Sequence, residues 1–370
     1  MSWLNSIACF IIFTFVACFS ALSAFASGVS APKKISIEYL GKNPNLPTVG
    51  LVTTGGTIAE KVNSKTGKML PSVTGHDLVS TLPCLLKYAN IRLVHFSLIE
   101  SSHMSIGLLA NLSKVVNNLL LDQRIKGVVV VQGTDTMAEA AYFVDLTISN
   151  TKPVVFTGAM RTFSDISPDG PGNLCDALKQ VSMKQPKNWG VTLTLNRLIN
   201  DVREVRKIDT TNLQAFNSGR KGYLGQIAND RLYVYRDRKN HHFFNTPKKF
   251  PKVPLITTYV GDDGAFIRQA VRDGAQGIVI QAFGLGNVNL ATSNAIQYAL
   301  KRGVIVVITS QVQSGSVLPV YDDVGSATAL QKQGAILAGD LLGSKARILL
   351  ILAIANFGQN HNKLVQILKN

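Results

Sequence analysis

Acidic residues are scarce in this chain: 22 Asp and Glu stand against 38 Lys and Arg, for a formal net charge of +16 at pH 7. No glutamate follows Glu204. A surface this basic attracts polyanions without specificity. Yet its Lys and Arg are scattered apart from a cluster between Arg231 and Lys252, and no nucleic-acid-binding motif accompanies them. No specific nucleic-acid role is expected, and the charge reads as solubility with loose attraction to anionic surfaces. Cysteine is scarce too. Cys9, Cys18, Cys84 and Cys175 contain no CxxC, and HExxH is missing. His76, His95, His103, His241, His242 and His361 show no ligand spacing, so the familiar zinc signatures are excluded, and neither metal nor cofactor is expected.

Before Lys33 there is no charged side chain at all. An apolar run from Ile7 to Phe19 leads to Ala24-Phe25-Ala26, a small-x-small cleavage pattern, so residues 1–26 read as a secretory signal peptide bound for the periplasm or the exterior. Left uncleaved, residues 7–25 would nearly span a bilayer, and membrane contact is expected only in that case. Cleavage removes Cys9 and Cys18. The remaining Cys84 and Cys175 can bridge only if their Cα atoms come within about 7 Å of each other.

What is present points to a sizeable core: 370 residues with 46% hydrophobic content are enough for about two domains. Short β-branched runs recur at 49–53, 91–99, 127–131, 153–156 and 191–195, and again at 255–260, 277–280 and 304–308. Segments with helical spacing lie between most of them, as at 107–121, 137–148, 173–181 and 265–272. Near-continuous apolar strands alternating with helices predict an α/β fold with mainly parallel sheets. A charged, aromatic and Pro-containing stretch at 236–253 breaks the pattern. It divides a larger N-terminal α/β domain, 44–235, from a smaller C-terminal one, 254–370. No internal repeat occurs.

Two strand ends carry the chemistry. Leu51-Val52-Thr53 runs into Thr54-Gly55-Gly56-Thr57-Ile58-Ala59, where paired glycines let backbone N–H groups approach a ligand at a carboxyl edge. The pattern is not GxGxxG, which argues against a dinucleotide. The run 127–131 ends in Gln132-Gly133-Thr134-Asp135-Thr136-Met137 just before a helical segment. Thr134 or Asp135 alone would read as a helix N-cap. Two such edges in one domain read as a site.

At these motifs the chain resembles the bacterial-type L-asparaginases, including periplasmic asparaginases and glutaminase-asparaginases. The resemblance continues in order through Pro153-Val154-Val155-Phe156-Thr157-Gly158-Ala159-Met160-Arg161, Asp169-Gly170-Pro171-Gly172-Asn173-Leu174, Arg203-Glu204-Val205-Arg206-Lys207, Gly225 and Gly284-Leu285-Gly286-Asn287-Val288-Asn289. It implies hydrolysis of asparagine to aspartate and ammonia, with glutamine as a further substrate, by a homotetramer built as a dimer of dimers. By this resemblance Thr57 matches the nucleophile, and Thr134, Asp135 and Lys207 match a second hydroxyl and its proton-handling partners. Ser101 matches the substrate-carboxylate contact with Ser102 beside it, and Asn289 a polar residue near the substrate amino group. A hydroxyl is a weak nucleophile until a base takes its proton, which is the use of such a lysine. Backbone N–H groups near Gly56 and Ala159 would face the oxyanion. The chain departs from the family in having no tyrosine between Thr57 and Tyr88, where a lid tyrosine is usual; Lys68 stands in that region as a substitute base. The alternative is a catalytically silent amino-acid-binding protein on the same fold.

Overall fold

A computed structural model describes residues 35–56, 58, 60–62, 69–71, 76, 79, 82, 84–238 and 242–369, with backbone alone at 60–62, 69–71 and 84. The leader expected at 1–26, Thr57 and Lys68 lie outside the described residues. From Ser36 onward the chain forms one compact unit.

Its large sheet begins with β1 (Ser36–Leu40) and β2 (Thr48–Thr53), while β3 (Glu60–Val62) and β4 (Met69–Pro71) pair separately. Helix α1 (Cys84–Tyr88) leads to β5 (Asn90–His95), α2 (Ile106–Leu121) to β6 (Ile125–Val131), and α3 (Met137–Thr147) to β7 (Val154–Thr157). After α4 (Gly170–Ser182) come β8 (Val191–Leu195) and β9 (Leu198–Asp201), then the small pair β10 (Arg206–Lys207) and β11 (Phe216–Asn217), then β12 (Gly225–Ala228) and β13 (Arg231–Val234). The spatial order is β1-β5-β2-β6-β7-β8-β9-β12-β13.

Strands β5, β2, β6, β7 and β8 are parallel, and β2 and β6 are almost wholly buried, as a sheet covered on both faces requires. Alternate side chains feed opposite layers. Val52 and Val130 pack with Leu112 and Val116 of α2 and Phe143 of α3, while Leu51 and Val129 pack with Leu85 of α1 and Leu174 and Leu178 of α4. Cys175, on α4, is disulfide-bonded.

The sheet is more mixed than its apolar runs suggest, because β1, β9, β12 and β13 add antiparallel flanks. The β8–β9 and β12–β13 hairpins turn through residue pairs with positive φ, Asn196-Arg197 and Asn229-Asp230, the backbone a tight two-residue turn demands. The strand expected at 91–99 stops at His95 because the Phe96 and Ser97 N–H groups turn to the Thr53 carbonyl.

The second sheet is wholly parallel: β14 (Leu255–Thr257), β15 (Gly277–Ala282), β16 (Ile305–Ser310) and β17 (Ile336–Leu337). Helices α5 (Ala265–Arg272), α6 (Leu290–Lys301) and α7 (Ala327–Lys332) connect these strands, and α8 (Gly343–Phe357) and α9 (His361–Lys369) complete the chain. Helix α8 is apolar nearly all round, which suits a helix covered on every side. It packs on β15 and on α3, so Phe143 and Leu146 share one core with Val279 and Val307.

Between β13 and β14 no helix or strand occurs among the described residues. This stretch, expected as a linker, nonetheless buries Arg238, which is 5% exposed. Among the described residues no helix is long and apolar enough to cross a membrane.

Candidate active site

The strand order itself marks a crevice. From β2 the chain moves outward to β5 on one side, and from β6 it moves to β7 on the other. The connections therefore diverge above the adjacent tips of β2 and β6, the place where open α/β sheets bind ligands. Here the tips are laced together. The Thr54 N–H donates to Val131 O at 3.0 Å, Ile99 N–H to Thr54 O at 3.1 Å, and Gln132 N–H to Thr157 O at 3.0 Å.

Glycine is obligatory at the closest approach. Gly56 has φ +87°, and a Cβ on it would lie 2.2 Å from Gly133 Cα; a Cβ on Gly133 would lie 2.8 Å from Ser101 Oγ. The two glycine motifs and Ser101 thus meet at one spot. Ser101, 5% exposed, opens a short 3-10 turn, and its carbonyl accepts from Thr136 Oγ1 at 2.9 Å. Ser102 is exposed beside it. Ala159, 1% exposed, and Ile58 both lie against Gly170.

Neither Thr134 nor Asp135 caps α3. The cap position is Thr136, whose hydroxyl makes no cap bond and is engaged with Ser101 O and Gln132 Nε2. The Thr134 hydroxyl and the Asp135 carboxylate instead meet Lys207: Nζ donates to Thr134 Oγ1 at 2.9 Å and to Asp135 Oδ1 at 2.7 Å. Lys207 is no member of a solvated basic face. Its side chain is 21% exposed, on a two-residue ladder with Phe216 and Asn217, and the neighbouring Arg206 donates to the Gln313 carbonyl of the second domain. A hydroxyl, an amine and a carboxylate in a row, at a sheet switch point, can pass a proton to or from a bound molecule.

Asn289 has a different setting. It caps α6, accepting from Thr292 N–H at 2.8 Å and donating to Asp262 O at 2.7 Å, so both ends of its amide are engaged. The structure also gives work to residues that carried no role in the sequence. Asp169 accepts from the Met160 and Arg161 N–H groups, and Asn173 donates to Gly158 O at 2.9 Å and to Asp169 Oδ2 at 3.0 Å. Together they hold the loop carrying Ala159. Their signal was a pair of polar residues one helical turn apart, at the start of a segment otherwise chosen for packing.

Known proteins match the chain over both domains. The family model described as "Asparaginase, N-terminal" matches residues 48–240, and "Glutaminase/Asparaginase C-terminal domain" matches 252–368. The chain is 34% identical over 309 residues to the L-asparaginase of Bacillus licheniformis, covering 84% of this chain and 96% of that one. Against the L-asparaginase 2 of Escherichia coli K12 the identity is 34% over 319 residues, covering 84% and 89%. A probable periplasmic L-asparaginase of Haemophilus influenzae gives 34% over 322 residues, with the same coverage. The crystal structure of a probable cytoplasmic L-asparaginase from Campylobacter jejuni superimposes with a TM-score of 0.80 at 33% identity, covering 87% of this chain and 99% of that one. In sequence over both domains and in three-dimensional architecture, the chain belongs to the asparaginase family.

Proposed function

We propose that the protein hydrolyses L-asparagine to L-aspartate and ammonia, and glutamine more slowly or to a similar degree, through Thr57 as nucleophile. The observation that carries this reading is the contact of Lys207 with both Thr134 and Asp135 at the β2–β6 crevice. The Thr57 hydroxyl oxygen attacks the side-chain carbonyl carbon of asparagine, and its proton passes to the amide nitrogen, which leaves as ammonia. An ester of Thr57 remains. Water, deprotonated through Thr134 and Lys207, attacks that ester; aspartate departs and the threonine oxygen recovers a proton. Gly56 and Ala159 N–H groups stabilise the oxyanion in both steps. Ser101 and Ser102 hold the substrate carboxylate, and Asn289 orients the pocket wall nearest the amino group.

Glutamine differs by one methylene, a change that pockets discriminate by only about 1–3 kcal/mol. The test is ammonia release from asparagine, glutamine and D-asparagine by the wild type and by Thr57→Ala. Turnover of asparagine that disappears in Thr57→Ala is expected. Binding of aspartate with no turnover of any small amide at high enzyme concentration would instead leave a silent binding protein.

Two further features complete the proposal. The exposed Val312, Leu318, Val320, Tyr321 and Val324 support association of subunits into a tetramer, which light scattering would detect as four times the chain mass. The composition of residues 1–26 supports export, and a mature chain starting at Ser27, seen by mass spectrometry, is the expected product.

A further inference from the structure

For Lys207 to reach Thr134, the first turn of α3 and the turn before β10 have to stay in register. A side chain from near the other end of the protein bridges them. Lys345, in the first turn of α8, is 1% exposed, and its Nζ donates to the carbonyls of Ala138 and Val202. Ala138 sits in the first turn of α3, just after Thr134 and Asp135. Val202 sits in the 201–205 turn that delivers Arg206 and Lys207. That turn is closed internally, with Glu204 and Val205 N–H donating to Asp201 O at 3.0 and 2.8 Å. From outside, Arg238 holds Asp201 and Asp340 holds Arg203.

Burying an amine costs free energy that a methionine of similar reach would not incur, so a lysine here is explained by what its N–H groups do. Burial pushes the Lys345 amine down to about 7, against the opposing pull of Glu139, Asp201, Glu204 and Asp145. A neutral amine still has two N–H donors, one for each carbonyl, so the bridge persists in either form. The Tyr142 ring, its centroid 5.0 Å from Nζ, walls the same site.

We propose that Lys345 is a positioning residue for the reaction: by tying the start of α3 to the 201–205 turn, it keeps Lys207 within hydrogen-bond distance of Thr134 and Asp135. The inference rests on the relay assigned above to those three residues. It makes the second domain a contributor to the chemistry of its own chain.

The test compares Lys345→Met, which keeps the length and loses the donors, with Leu350→Ala, a fully buried truncation on the same helix. Both are expected to lower the melting temperature. At a temperature where circular dichroism shows both folded, Lys345→Met is expected to lower kcat roughly tenfold with KM changed less than about twofold. Leu350→Ala is expected to leave kcat alone. In a Lys207→Ala background, Lys345→Met is expected to lower kcat by no more than about twofold, because residues acting as a unit are not additive. Should Lys345→Met not fold, Lys345→Gln, polar but too short to span both carbonyls, is read in the same way. Unchanged kcat in the Lys345 variants, or losses that multiply with Lys207→Ala, would overturn the inference. If Lys207→Ala itself leaves turnover intact, the relay is wrong and the inference goes with it.

Discussion

Two cation–carboxylate groups lie within one turn of chain of each other's supports, and they are built to opposite ends. Every nitrogen of Arg238 is engaged: Nη1 donates to Asp145 Oδ1 at 2.8 Å and to the carbonyls of Trp189 and Val191, Nη2 to Asp145 Oδ2 at 2.5 Å, and Nε to Asp201 Oδ1 at 2.9 Å. Its side chain is 2% exposed and that of Asp145 is 0%. Lys207 has two partners, one of them a neutral hydroxyl, and its carboxylate partner Asp135 is 65% exposed. A buried charge has to satisfy every donor with fixed partners, and that leaves nothing for a ligand. An open pair can exchange a partner for a substrate. Burial and completeness of hydrogen bonding, rather than residue type, separate the structural ion cluster from the reactive one.

The sharpest way to break this contrast is to remove each cation. Arg238→Met removes the buried ion pairs to Asp145 and Asp201 and is expected to cost about 3–5 kcal/mol, a large part of the roughly 5–15 kcal/mol of a typical fold. Chemical denaturation would read the loss, while kcat per folded molecule falls far less than in the Lys207 variant, because Arg238 touches the 201–205 turn only through Asp201. A loss under about 1 kcal/mol would mean that Asp145 is not dependent on Arg238. Lys207→Ala is expected to do the reverse. Its partly exposed pair contributes no more than about 1 kcal/mol to stability, yet kcat should fall at least roughly a hundredfold, or ~3 kcal/mol in the transition state. A variant that unfolds easily and turns over normally would make Lys207 another Arg238.

The two groups also differed in how far the sequence disclosed them. The strand tips at 54–56 and 132–135 were legible because parallel strands buried on both faces appear as unbroken β-branched runs, and paired glycines announce close backbone approach. Lys207 stood among Arg203 and Arg206, where only the resemblance separated it from a solvated basic face. Arg238 was hidden in a charged, Pro-containing stretch that resembled a linker, since its partners Asp145 and Asp201 belong to α3 and β9. Lys345 was silent for the same reason, and the Asp169–Asn173 pair showed only its helical spacing: their carbonyl and amide partners are brought near only by tertiary packing. The antiparallel flanks have a weak sequence signature as well. Strands of four or five residues with exposed alternate positions, such as β1 and β13, carry too little pattern to separate them from loops.

Asp340 lies between the two extremes and sharpens the contrast by the smallest effect. It joins the second domain to the 201–205 turn, accepting from Arg203 at 2.8 Å and from Lys221 at 2.6 Å, with 34% of its side chain exposed. Burial alone would raise its carboxyl, but the hydrogen bonds from Lys221 and Arg203, and then their charges, outweigh burial and hold it at about 2, below its ordinary 3.8. A carboxyl depressed in the folded state contributes stability above the unfolded value and loses it as pH falls through the folded one. The window is therefore the interval between 3.8 and about 2. Full burial would make the displacement worth about 2 kcal/mol, and solvent screening at this exposure reduces it to about 1 kcal/mol. The unfolding free energies of wild type and Asp340→Asn should converge by about this amount as the pH is lowered from about 5 to about 2. Parallel curves over that interval would mean that the turn is held by Arg238 and Lys345 alone, with Asp340 only a surface partner of Lys221.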